Sequence, residues 1–128
     1  MSIKEIPEKY EKQFAILLSL IDLGGSASKK KILSNLVVKN YIYINHTYFK
    51  KLQSNGEPAW QNDLAWERQH LLDMGYLEPA TRGIWKISAR GKLLFIKLFY
   101  EKMNNTDFKF LNEAAFSKSE SLIADLNF

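Results

Sequence analysis

The side chains in this sequence that could engage a partner chemically gather in a few places. Between positions 60 and 75 lie the amides Gln61, Asn62 and Gln69, the indole of Trp66, the cation Arg68, and His70, one of only two histidines. A carboxamide can bond an adenine edge through two atoms at once. An indole can touch a base edge, cover a thymine methyl or stack on an extruded base. The competing uses are plain ones: solvation for the amides, burial beneath a hairpin or C-terminal helix for Trp66, and an ion pair with Glu67 or Asp63 for Arg68. Thr81-Arg82-Gly83 has the chemistry of a hairpin tip, where an arginine reaches phosphate or a narrow minor groove, and Lys86 follows it. Lys29 and Lys30, with Lys31, open a helix, a place where the helix dipole disfavours cations and a nearby phosphate would compensate.

Other chemistries find little to work with. The chain has no cysteine, which removes disulfides, thiolate zinc sites and cysteine nucleophiles. His46 and His70 have no partner at metal-ligand spacing, so no metal or other cofactor is expected. A metal-dependent phosphodiesterase would need an acid and an Asp/Glu-x-Lys pair on adjoining strands. The one Asp-x-Lys, at 107–109, falls in a stretch that reads as helical, so no catalytic site is expected in this chain. The longest apolar run, 14–21, is too short to span a bilayer, and the N-terminus lacks a secretory apolar region. These features lead to the expectation of a cytoplasmic protein with no membrane contact.

The elements that must position these residues can be read from spacing. Phe14, Leu17, Leu18 and Ile21 recur at helical intervals over 8–23, ended by Gly24-Gly25. Ser26 or Ser28 caps a second helix over 29–38, with Ile32, Leu33 and Leu36 inward. Residues 40–44 are a short strand or an irregular connector, and Asn45 caps a short helix reaching Leu52. Turn chemistry at 53–58 precedes the third major helix, 60–75, whose Leu64 and Leu71 share one face with Gly75. Asn62, Trp66, Gln69, His70 and Asp73 fall on the opposite face. Trp60 at its start reads as a hydrophobic staple. Two short strands, 76–78 and 84–88, flank the turn 79–83, and Trp85 belongs to the core. Ser88 caps a long helix over 89–103 that is apolar nearly all round and expects two packing partners. Amphipathic segments fill 104–128. The fold class is therefore mainly α with a small β-hairpin: a winged helix-turn-helix with an additional long C-terminal helix and a helical tail. The domain is 1–103, with 104–128 a linker or dimerisation segment.

Charge is distributed unevenly over these elements. The net +4 conceals +6 over 26–51 and +5 over 80–100, both free of acid, against −4 over 52–79. Two acid-free basic blocks in one small domain suggest a polyanion footprint.

Three stretches carry a resemblance: Leu-Gly-Gly-Ser-Ala-Ser-Lys-Lys-Lys-Ile-Leu at 23–33, the helix with its flanks at 56–78, and Arg-Gly-Ile-Trp-Lys-Ile-Ser-Ala-Arg-Gly at 82–91. In order and spacing they resemble the N-terminal winged-helix domain of Mrr-type restriction endonucleases. Asn62, Trp66, Arg68, Gly75, Arg82, Gly83, Trp85, Ser88 and Gly91 match that family's pattern. The resemblance implies a double-stranded DNA-binding module, with methylated duplex among its targets, that delivers a nuclease domain fused beyond residue 128. A homodimer through the C-terminal helices is a further expectation. The alternative is a protein-interaction winged helix that dimerises or docks a partner through its acidic third helix without binding DNA.

Overall fold

A computed structural model describes residues 7–43, 46–103 and 108–126. The central element is α1 (Glu8–Asp22), where every residue from Gln13 to Leu20 is buried. Such a helix needs apolar neighbours on all sides, and α1 packs against α2, α4, α5, α6 and β3. Gly24 and Gly25, at φ +97° and +106°, turn the chain out of it into β1 (Ser26–Ser28). The helix α2 (Lys29–Val38) follows at once, with Ser28 Oγ accepting the Lys31 amide hydrogen as its N-cap. A short α3 (His46–Lys50) precedes α4 (Ala59–Asp73). The capping role expected of Asn45 lies outside the described residues.

The sheet is antiparallel and three-stranded, in the order β1-β3-β2 with β2 (Leu77–Glu78) and β3 (Ile84–Ile87). The hairpin is as expected from sequence; its third member, β1, is an addition. Ser-Ala-Ser carries no strand signature of its own, and pairing of Ser26, Ala27 and Ser28 with Lys86, Trp85 and Ile84 makes it one. Helix-strand-helix, then helix, then a hairpin whose inner strand holds β1, gives a mainly helical, winged-helix-like fold.

A compact joint fixes the hairpin between α4 and α5 (Ala89–Glu101). Gly75 ends α4 at φ +82°, and its carbonyl accepts a 2.7 Å hydrogen bond from Ser88 Oγ. Ser88 Oγ in turn accepts the Gly91 amide hydrogen and caps α5. A Cβ on Gly91 would stand 2.1 Å from the Tyr76 carbonyl oxygen, so only glycine lets α5 approach this closely.

After α5 the chain returns to the core. Phe110 and Leu111 lie in an irregular segment rather than a helix, and α6 (Glu113–Leu126) follows, packed on α1 and α5. The helical character expected around 107–109 thus fails at Phe108 and Lys109. The physical reason is a tertiary one: Glu11, fully buried on α1, accepts the amide hydrogens of Lys109, Phe110 and Leu111 at 2.9–3.2 Å. Of the stretch expected as a short strand or an irregular connector, residues 40–43 are irregular, with a single bridge from Ile42 to Leu111, and residue 44 lies outside the described residues. Helix α5 does have two helical partners, but Leu93 and Tyr100 remain exposed on its outer face.

Candidate nucleic-acid interface

The helix α4 presents two faces of different character. Its Leu64 and Leu71 are fully buried. Beside them the acids turn toward the protein. Asp63 accepts a hydrogen bond from Tyr48 and stands 3.9 Å from Lys12. Burial, then the Asp63 carboxylate, push the Tyr48 hydroxyl above its ordinary pKa. Glu67 accepts a hydrogen bond from Gln13 at 3.0 Å and pairs with His70 at 3.1 Å. Just before the helix, Glu57 pairs with Lys29 at 2.9 Å. Most of the acidic charge over 52–79 is thus engaged within the chain.

The other face is open. Trp66 is 60% exposed, so burial, the competing use of that ring, is not what the fold does with it. The half-exposed Gln61 and Asn62 lie a turn or so before it on the same helix. The loop between β2 and β3 holds Thr81 and Arg82 exposed, with Gly83 at φ +84°. This loop and the start of α2 are joined, since the Lys29 amide donates to the Gly83 carbonyl oxygen at 3.3 Å. The start of α2 meets α4 in turn: Lys29, Lys30 and Gln61 line one open groove of about 570 Å³. Wing loop, α2 start and α4 start therefore follow one another around one region. Among the described residues, the side chains of Lys30, Gln61, Asn62, Trp66, Thr81 and Arg82 have no hydrogen-bond, ion-pair or ring partner.

The remaining expected residues are already occupied. Lys29 holds Glu57, and Lys86 stands 3.7 Å from Glu78 across the hairpin. Gln69 donates to Asp73 at 2.8 Å, and His70 holds Glu67. Arg68 forms neither of the ion pairs expected of it. Its guanidinium lies 5.6 Å from the Trp85 ring centre and donates weakly to Gln69, while its Nε is buried without a partner. Periodicity placed Arg68 at the border of the core; only the packing of β3 shows that an indole waits there.

Two acids, Glu11 buried and Asp22 partly buried, escaped the sequence reading altogether. Glu11 falls in the stripe of Phe14 and Leu18, and an acid in an apolar stripe was the available signal. Asp22 gathers Lys39 at 2.6 Å, Tyr41 at 3.0 Å, Asn35 at 3.1 Å and Lys118 at 3.8 Å. Burial pushes its carboxyl up, but the hydrogen bonds from Lys39, Asn35 and Tyr41 outweigh this and hold it below the ordinary value. Such groups position elements rather than ligands. Among the described residues no cluster of acids and histidines could hold a metal ion, and no helix is long and apolar enough to cross a membrane.

The family model of the Mrr N-terminal domain matches residues 10–96, about two thirds of the chain. Its span runs from α1 through most of α5 and includes every residue of the open face. No curated protein and no solved structure matches the chain significantly.

Proposed function

This chain belongs to the Mrr N-terminal domain family, a non-catalytic domain family of Mrr-type restriction systems, and we propose that it binds double-stranded DNA through the open face of α4 and the β2–β3 loop. In this reading α4 lies in the major groove with Asn62 and Trp66 toward base edges. Arg82 and Thr81 reach the neighbouring backbone or minor groove, and Lys30 neutralises a phosphate at the start of α2. The observation that carries it is the sorting of partners. The acids Glu57, Asp63 and Glu67 are engaged within the protein, whereas Lys30, Gln61, Asn62, Trp66, Thr81 and Arg82 are free among the described residues, and the start of α2 joins the β2–β3 loop to the start of α4. The same sorting speaks against a protein partner gripping the acids of α4, since they are already spoken for. The module would serve as the target-recognition part of a restriction endonuclease whose nuclease domain lies beyond residue 128, with methylated duplex as a candidate target.

A salt titration of duplex binding tests this. Affinity should fall steeply with salt as counterions are released. Arg82→Ala should weaken binding to every sequence and lower the salt slope by about one. Asn62→Ala and Trp66→Ala should instead erode the preference for cognate over scrambled, or methylated over plain, duplex by about 1–3 kcal/mol. Flat, negligible binding at both low and moderate salt would overturn the proposal.

A further inference from the structure

The groove between α2 and the start of α4 has a character that phosphate binding does not account for. Its floor is Leu33, Val37, Val38 and Trp60, and its lining holds more apolar than polar surface. Val38 is 78% exposed and Val37 40% exposed. Phe49 of α3 leans on the Trp60 ring with centroids 5.4 Å apart and is itself partly exposed, which extends the apolar surface past the groove's end. Such a run of aliphatic and aromatic surface gains nothing from a phosphate backbone, whereas an apolar partner face would take it out of water.

The rim is cationic. Lys29 and Lys30 line the groove; Lys29 is held by Glu57, which among the described residues leaves Lys30 as the free cation of the two. The whole stretch 26–51, which supplies α2 and α3, contains six lysines and no acid. Apolar floor and basic border together describe the complement of an amphipathic helix with acidic flanks, the helix-in-groove mode of recognition. We propose that this groove docks an acidic amphipathic helix from a partner protein, with its leucine-type side chains on Val37, Val38 and Trp60 and its carboxylates toward Lys30. Lys30 and Gln61 border both surfaces, but Val37 and Val38 carry the docking and Asn62, Trp66 and Arg82 the DNA contact.

The test uses the full chain and two synthetic amphipathic helical peptides of the same apolar face, one flanked by glutamates and one by lysines, read by fluorescence anisotropy. The glutamate peptide should bind, and the lysine peptide should bind at least about tenfold more weakly. Val38→Glu, at an exposed position that leaves the core untouched, should weaken the glutamate peptide by about tenfold or more, a difference of 1.4 kcal/mol. A neutral variant at the same position, Val38→Ser, should leave duplex affinity within about twofold. Absence of peptide binding overturns the proposal, as does equal binding of both peptides or indifference to Val38→Glu. Loss of duplex affinity in Val38→Ser would make DNA the occupant and overturn it too. Failure of duplex binding in the parent chain, with peptide binding intact, would remove only the DNA reading.

Discussion

The two sides of α4 differ less in composition than in whether their side chains have partners. On the inner side, consecutive α1 residues reach in different directions: Glu11 to the amides of 109–111, Lys12 to Asp63, Gln13 to Glu67. On the outer side, Asn62 and Trp66 reach nothing in the protein, and neither does Arg82 beyond them. A buried polar group must be satisfied internally or it costs stability, whereas an exposed one is satisfied by water until a ligand arrives. The inner set therefore answers to folding and the outer set is at liberty to answer to binding.

The largest expected effect that sharpens this contrast is at Glu11. Glu11→Ala strands up to three buried amide donors and should cost about 4 kcal/mol, read as a lower urea midpoint. A loss below about 1 kcal/mol would break the assignment of Glu11 to the inner set. Asp22 tests the same idea through pH. Its folded-state carboxyl lies below the ordinary value of 3.8, so the stability it contributes is present above that value and lost as pH falls through its lower folded one. Asp22→Asn should thus be less stable than the parent at neutral pH, with the difference shrinking on acidification below 3.8; a difference independent of pH would sink this account. The smallest effect is expected on the outer side. Trp66→Ala and Arg82→Ala should each leave the unfolding midpoint within about 0.5 kcal/mol of the parent. A larger change would mean that these side chains belong to the fold after all.

Much of this division was legible in the sequence, and the failures have a common cause. Spacing and caps located α2 to the residue, narrowed its cap to Ser26 or Ser28, of which the structure uses Ser28, and found the Ser88 cap, the buried Leu64 and Leu71 and the face that carries Trp66. These are local properties of a helix. What spacing could not supply was the identity of partners brought from far along the chain. Nothing near Lys29 announces Glu57, nothing near Arg68 announces the Trp85 ring, and Ser-Ala-Ser becomes a strand only because β3 lies beside it. The expected contact residues were read without regard to such partners: among the described residues, Lys29, Arg68, Gln69, His70 and Lys86 each have one within the chain, whereas Lys30, Gln61, Asn62, Trp66, Thr81 and Arg82 do not.

The Glu11 contact also sets an order on biosynthesis. Its carboxylate leaves the ribosome about a hundred residues before the amides that will hold it. Until then a buried Glu11 carboxylate would lack the hydrogen bonds that satisfy it, so that flank of α1 is better left in water. The arrival of Lys109–Leu111 is what lets α1 bury it without an unsatisfied charge.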